Sequence, residues 1–433
     1  MMQTKFLNPK YFLLIIIFLT ISIYQCGDDN STEPTQPTVI KVVVKSASDS
    51  SLISGANVVL YDANTGESVG REFSAPDGIA TFQAYLSGNY YVRIAAQGFK
   101  ELPEGSVSPV PFSVASGATT TQTYYMSVLS GTFGKIDGTV NPKLSGFLIV
   151  ATESGMNSEN HTYTGPDGYF VLFNVPFNTY ELDAIKSGYQ STNQPQVTLT
   201  SASTSATVEI SVSQITGSTL TGKVTFLAVE NGIVDVSILD KISHSVVNGL
   251  TTVIDSSRNY SISNIPAGEY LAWASYKNDG YVMDPDWIFK NPGAPFVSFT
   301  GDSSKERDFS VTDAITIISP TNPPEDITPA MADSIIPTFQ WSAYPQTKEY
   351  IIEVRDLNGE LIWGGFKANG EINHAQIPKE WTSVKFNFDG SALSQLQSGN
   401  IYQWRLYADD DAAPNIQTLL SASEDLMGLF ITP

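Results

Sequence analysis

The turns of this chain recur every 90 residues, and that spacing limits the fold more than any other feature. Pro76-Asp77-Gly78 returns as Pro166-Asp167-Gly168, so Asp77 and Asp167 stand 90 positions apart. Leu86-Ser87-Gly88-Asn89-Tyr90 returns as Val175-Pro176-Phe177-Asn178-Thr179-Tyr180 and again as Ile265-Pro266-Ala267-Gly268-Glu269-Tyr270. Gly98-Phe99, Gly188-Tyr189 and Gly280-Tyr281 close the three copies; the third lacks the Asp-Gly pair and keeps Asn259-Tyr260. A repeat of this length is one β-sandwich per copy. Gly78 and Gly168 supply the positive φ of a tight turn, with Asp77 and Asp167 beside them. Tyr90, Tyr180 and Tyr270 each open a strand after a turn. A ring there is buried and its hydroxyl bonds to upstream backbone, as in a tyrosine corner. These aromatics therefore read as structural and not as ligand contacts.

Between the turns, runs rich in Val, Ile, Thr and Tyr alternate with Gly, Pro, Asn and Asp, and helical periodicity is nearly absent. Val39 to Lys45, Ala56 to Tyr61, Tyr90 to Ala95, Phe147 to Ala151 and Thr207 to Val212 read as strands of tandem antiparallel β-sandwiches, an all-β class. A length of 433 residues exceeds what one core serves and predicts three or four domains. With 44 acidic against 23 basic side chains and a net charge of −21, the chain repels nucleic acid and anionic headgroups. Cys26 is the one cysteine, so disulfides within the chain and Cys-based zinc sites are excluded.

The repeat residues carry a resemblance. Gly138-Thr139-Val140 and Gly222-Lys223-Val224, Gly55-Ala56-Asn57-Val58, the Asp-Gly turns and the strands ending in Gly-Phe or Gly-Tyr resemble the carboxypeptidase regulatory-like family. The resemblance implies a prealbumin-type sandwich without an active site of its own. It also implies company with peptidases, receptors or adhesins, and related sandwiches bind carbohydrate. Pro337-Thr338-Phe339-Gln340-Trp341, Tyr350 to Val354, Leu361-Ile362-Trp363 and the Leu396 to Arg405 stretch resemble a fibronectin type III-like module, with Tyr402 at its corner. The expected divisions are 38–129, 130–214 and 215–312 for the three prealbumin-like sandwiches and 313–433 for the last. Few contacts are expected across the linkers near Ser130, Gly217 and Ala314. Trp341 and Trp404 read as core; Trp363 and Trp381 stay open.

The amino terminus reads as an export signal over residues 1–25. Lys5 and Lys10 precede an apolar run, Tyr11 to Tyr24, that is shorter than a membrane span. Ile23-Tyr24-Gln25-Cys26 resembles a bacterial lipobox, with Gln25 where a small residue is usual, which implies lipidation of Cys26. The alternative is a short uncleaved anchor. Gly27-Asp28-Asp29-Asn30 resembles the acidic stretch of surface-exposed lipoproteins of some Gram-negative bacteria, and residues 26–37 read as a Pro/Thr-rich tether. The expected location is the outer membrane, facing outward, with the lipid on Cys26 as the membrane contact.

Chemistry is scarce. His161, His244 and His374 fall in different modules without metal-ligand spacing and read as surface residues. No nucleophile elbow or phosphate loop occurs, and no cofactor or metal is expected. Asp409-Asp410-Asp411 is the sharpest acidic cluster; it has the oxygens for Ca²⁺, although a solvated turn is the favoured reading. Trp287 and Phe289 lie on an insertion after Gly280-Tyr281, suited either to stacking on a sugar ring or to plugging the sandwich edge. The first functional reading is a stalk or adhesive scaffold. The second is a lipoprotein binding a glycan or a surface protein or peptide. An enzyme comes third, since it requires residues the sequence does not offer.

Overall fold

The computed structural model describes residues 38–103, 111–153, 159–226, 233–243, 245–276, 281–283, 296–323, 328–356, 359–367, 370–410, 419–424 and 427–433. Cys26, His244, Trp287, Phe289 and Asp411 lie outside them. All regular structure in the described residues is β, arranged as four pairs of sheets.

The first pair uses β1 (Thr38–Ser46), β2 (Asn57–Asp62), β3 (Ser68–Phe73), β4 (Ile79–Tyr85), β5 (Gly88–Ala95), β6 (Phe112–Val114) and β7 (Thr119–Met126). Its sheets are ordered β4-β1-β7 and β3-β2-β5-β6. The second uses β8 (Gly134–Asn141), β9 (Leu148–Glu153), β10 (Glu159–Tyr163), β11 (Tyr169–Val175), β12 (Thr179–Ile185), β13 (Tyr189–Ser191), β14 (Gln196–Thr198) and β15 (Ser205–Gln214). Its sheets run β11-β8-β15-β13 and β10-β9-β12-β14. The third uses β16 (Ser218–Phe226), β17 (Val234–Asp240), β18 (Val246–Val253), β19 (Asn259–Ile265), β20 (Gly268–Tyr276), β21 (Tyr281–Met283), β22 (Phe296–Phe299), β23 (Ser304–Glu306) and β24 (Phe309–Asp313). β19-β16-β24-β21 and β18-β17-β20-β22 are its sheets, with β23 also on β16. The last pair takes β25 (Ile317–Ser319), β26 (Ala330–Met331), β27 (Thr338–Trp341), β28 (Glu349–Asp356), β29 (Leu361–Gly364), β30 (Ile377–Pro378), β31 (Ser383–Lys385), β32 (Ile401–Asp409), β33 (Leu419–Ala422) and β34 (Leu429–Ile431).

In the first three sandwiches the sheets are antiparallel apart from one recurring exception, and in the last β26 runs parallel to β34. The opening strand of each of the first three sandwiches runs parallel to its closing strand or strands: β1 with β7, β8 with β15, and β16 with β23 and β24.

The tight turn is shared by all three copies, including the one that lost Asp-Gly. The amides of Gly78, Gly168 and Arg258 donate to the carbonyls of Ala75, Gly165 and Asp255 at 2.8, 2.9 and 2.9 Å. Their own carbonyls accept from the amides of Val44, Val140 and Val224. All three have positive φ, of 70°, 71° and 67°. Arg258 therefore holds a glycine's conformation with a side chain attached, and Asp255 takes over the role of Asp77 and Asp167 by accepting the amides of Ser257 and Asn259.

The Gly-x-Val element has a packing reason. Gly138 pairs with Phe170 and Gly222 with Tyr260, while the equivalent pair in the first sandwich is Val42 with Ala80. One large and one small residue share the space each time. A Cβ on Gly138 would stand 2.1 Å from the Val208 carbonyl oxygen, and one on Gly222 1.9 Å from that of Arg307. Backbone there comes too close for any side chain.

Each sandwich has its own interior. Ile40, Val42 and Val44 face Val58, Leu60 and Val92 in the first, and Ile136, Phe147, Ile149 and Phe170 fill the second. Burying each such large side chain is worth about 1.5–3 kcal/mol. The last sandwich is built around Trp341, Trp363 and Trp404, so Trp363 joins the core; Trp381 is 47% exposed.

Three expectations are corrected. His374, read as a surface residue, is buried: its Nε2 accepts the Ile352 amide at 3.1 Å and its Nδ1 meets the Ala375 carbonyl. Asp409, read as part of a solvated turn, ends β32 with its side chain fully buried, whereas Asp410 is half-buried. Few contacts were expected across the linkers near Ser130 and Gly217, but the first three sandwiches share a core, described next.

Candidate functional site

Two features lie between sandwiches rather than within one. The first is a hydrophobic seam. β2 and β9 are buried along almost their whole length, so residues alternating away from their own interiors must pack elsewhere. Val59 and Tyr61 of the first sandwich, and Leu148, Val150 and Tyr163 of the second, join the core cluster of the third. The Tyr61 ring stacks on Tyr91 with centroids 4.8 Å apart and meets Tyr163 edge-on at 5.5 Å. The Tyr163 hydroxyl donates to the Val246 carbonyl in the third sandwich at 2.5 Å. Burial drives the Tyr61 and Tyr163 hydroxyls far above their ordinary titration range and pushes Tyr91 up to about 12. Three phenols thus stay neutral at a point where three sandwiches meet.

Polar clamps surround the seam. Asn174 accepts the Gly98 amide at 2.8 Å and donates to the carbonyls of Ala96 and Phe99 at 2.9 and 2.7 Å. One repeat later, the Gly188 amide donates to the Asn264 carbonyl at 2.8 Å. Asn174 and Asn264 both have positive φ, at 56° and 62°. The contact between the first and second sandwiches is therefore repeated, 90 residues on, between the second and third. The first also reaches the third directly: Asn248 donates to the Ser68 carbonyl at 2.8 Å, and the Gly249 amide donates to Glu67 at 3.0 Å. The Arg71 side chain, 5% exposed, crosses to Asp167 at 3.3 Å and lies over the rings of Phe73 and Tyr169. Burial lowers its pKa, and the Asp167 charge opposes that shift.

The second feature is a cleft of about 670 Å³ between the second and third sandwiches. β12 supplies Glu181 and Asp183, which share one face of the strand two residues apart. Gln196 and Gln194 lean on them at 3.3 Å each. β17 ends at Asp240, whose Oδ2 accepts the Ile242 and Ser243 amides and the Ser243 hydroxyl. The start of β20 contributes Glu269, which pairs with Lys241 at 2.7 Å. Gln190 crosses the cleft to accept the Ala267 amide at 2.9 Å.

The tyrosines expected at strand openings are buried. Tyr90 donates to the Leu86 carbonyl at 2.9 Å and Tyr180 to that of Pro176 at 3.0 Å, each four residues upstream. Tyr402 is buried with the opposite polarity, its hydroxyl accepting the Gln397 amide at 2.8 Å. Tyr270 is buried at the edge of the cleft. Asp77 and Asp167 each accept the amide two residues on, at 3.1 Å. Among the described residues no group of three or more His, Cys, Asp or Glu side chains is arranged to hold a metal ion. Tyr61, Tyr91, Tyr163, Arg71 and Asn174, and the cleft itself, were not singled out by sequence reasoning.

Residues 134–213, which are nearly all of β8 to β15, match the carboxypeptidase regulatory-like domain. No curated protein sequence matches the chain. Among solved structures the chain is similar to two B repeat units of the collagen binding protein of Staphylococcus aureus, at 12% identity over 90% of this chain and 99% of that one, with a TM-score of 0.18. It is similar to the major pilin subunit BcpA of Bacillus cereus at 12% identity, over 64% and 99% of the two chains, with a TM-score of 0.18. The Bacillus anthracis TIE protein is similar at 13% identity over 64% of this chain, with a TM-score of 0.18. The match spans about half of that protein, 51% of its length.

Proposed function

We propose that the chain is a non-catalytic, lipid-anchored scaffold of the cell surface, carrying a rigid block of three sandwiches and a fourth of fibronectin type III-like form. The shared core carries this reading: Val59, Tyr61, Leu148, Val150 and Tyr163 are packed into the third sandwich's cluster, so the repeats are fused rather than strung out in line. Sheet faces spent on each other hold shape and spacing. Residues 26–37 serve as a tether between the block and an acyl group on Cys26, and the net charge of −21 keeps the block off anionic headgroups. Metabolic labelling with a fatty acid tests the anchor: label is expected in the wild type and absent from Cys26→Ser, and equal label in both overturns it. Calorimetry tests the block, for which one transition is expected to cover the first three sandwiches. Three resolved transitions would return the chain to a string of independent modules.

A further inference from the structure

The end of the first sandwich at which the chain enters differs from the rest of the surface. Thr38 opens β1 and pairs with Tyr85, the last residue of β4, so the β4–β5 turn stands beside the entry point. The β6–β7 turn lies at the same end, because Val114 pairs with Gly88 and the Gly117 amide donates to the Thr38 hydroxyl at 3.1 Å. These two turns, residues 85–89 and 114–119, hold no charged side chain, in a chain that has 44 acidic and 23 basic ones. The turn after β2 also reaches this end, and its carboxylates are engaged: Asp62 accepts the amides of Asn64 and Thr65, and Glu67 that of Gly249. Leu86, Ser87, Ala115 and Ser116 are exposed, and Leu86, at 81%, is more exposed than any other large hydrophobic residue among those described. The Tyr90 hydroxyl donates to the Leu86 carbonyl at 2.9 Å, so the turn that presents this side chain is tied down. The second and third copies have Pro176 and Pro266 at the same position.

A single exposed leucine is ordinary on a protein surface. This one stands where the tether begins. We propose that this end of the first sandwich rests on the bilayer that holds the anchor, with Leu86 inserted beneath zwitterionic headgroups. The inference rests on lipidation of Cys26 and goes beyond it, since an anchored block could also swing free of the surface. Residues 26–37 span at most about 40 Å when extended, so the anchor keeps this end at high effective concentration near the lipid and a small apolar contact is enough to seat it. The uncharged turns enter the interface without stripping water from an ion, which the acidic surface elsewhere would have to do. The net charge of −21 confines the contact to neutral headgroups, because an anionic surface repels the block.

Fluorescence quenching tests it, with the full-length protein reconstituted into phosphatidylcholine vesicles that contain doxyl-labelled lipid. Ser87→Cys carries an environment-sensitive dye beside Leu86, and Leu393→Cys carries the same dye on the last sandwich, where Leu393 is 65% exposed. Any label taken up by Cys26 in the wild type is subtracted from both. Quenching of the dye at position 87 is expected to exceed that at position 393 by about threefold or more, and adding Leu86→Asp is expected to bring it down to the level at 393. Leu86→Asp leaves the fold intact, because the Tyr90 hydroxyl bonds to the backbone of residue 86 and not to its side chain. Equal quenching at the two positions, or quenching at 87 that survives Leu86→Asp, would overturn the proposal and leave the anchor standing. Protein that does not float with the vesicles would overturn the anchor, and the proposal with it. A dye at position 87 that shifts to the blue without quenching, and more so as the copies per vesicle increase, would put a second copy of the chain on Leu86 and overturn the lipid contact.

Discussion

The backbone amide of Gly98 donates to Oδ1 of Asn174 at 2.8 Å, and that bond ties the first sandwich to the second. The same side chain answers two further backbone carbonyls, and its own φ of 56° is one that asparagine tolerates better than most residues. Asn174→Ala leaves those groups unpaired and adds backbone strain, so a loss of about 2–4 kcal/mol is expected. Asn174→Gly removes the strain and isolates the bonds. Because the three sandwiches share a core, calorimetry should show their melting move together; a shift confined to the second would count against the fused block.

Two of the repeat tyrosines should lose stability with their hydroxyls. Tyr90→Phe and Tyr180→Phe strand the Leu86 and Pro176 carbonyls and are expected to cost about 1–3 kcal/mol each. Tyr180→Ala empties a fully buried site and should cost about 3–5 kcal/mol. Urea unfolding of the three variants measures the series.

Gly138→Ala should destabilise the second sandwich although its backbone is not strained. The new Cβ meets the Val208 carbonyl at 2.1 Å and the Phe170 ring at 2.9 Å, and the carbonyl belongs to a paired strand that cannot swing aside. Overpacking of this kind costs about 1–3 kcal/mol, with this contact toward the upper end. Thermal denaturation checks it, and a variant as stable as wild type would show that the β8–β15 pair can slide apart.

The last sandwich should lose stability as the solution turns mildly acidic. Burial lowers the His374 pKa below its ordinary 6.5, against the raising influence of the Ala375 carbonyl and the Asp389 charge. A base whose folded pKa is depressed takes up protons first in the unfolded chain. Its contribution is therefore level above the unfolded value and falls as pH drops from about 6.5 toward the folded pKa. The geometry agrees, because protonating Nε2 would set it against the Ile352 amide. His374→Gln should flatten the pH dependence of the melting temperature between pH 7.5 and about 5.5; a slope equal to that of wild type would remove His374 as its source.

The repeat made the strands and turns legible because its signals are local. Gly78 and Gly168 hold positive φ for reasons contained in four residues, and Tyr90 and Tyr180 bond within five. What lay hidden was the packing of one sandwich on another, although it left a trace. Val58-Val59-Leu60-Tyr61 and Phe147-Leu148-Ile149-Val150-Ala151 are continuous apolar runs, not alternating ones, and a strand buried on both faces reads that way. β1, with one face half-exposed, alternates. The cleft had no such trace, since Asp183 and Asp240 are 57 positions apart and line one cleft only where the second and third sandwiches adjoin. Arg258 was illegible for another reason: a charged residue in a glycine's conformation gives no turn signal.

The parallel pairing of opening and closing strands governs how the protein bears a mechanical load. In the first sandwich the chain enters at Thr38 and leaves at Met126, and Ser46 stands beside Met126, so entry and exit lie at opposite ends of one strand pair. Tension applied between Thr38 and Met126 then acts along those strands in shear, and the bridging hydrogen bonds share the force instead of unzipping in turn. The register couples eight positions in β1–β7 and seven in β8–β15. In the third sandwich it is split into two stretches of three, β16–β23 and β16–β24, interrupted at Arg307 and Asp308. Pulled by its ends, the block should yield at that interruption, and the third sandwich would be the first to lengthen.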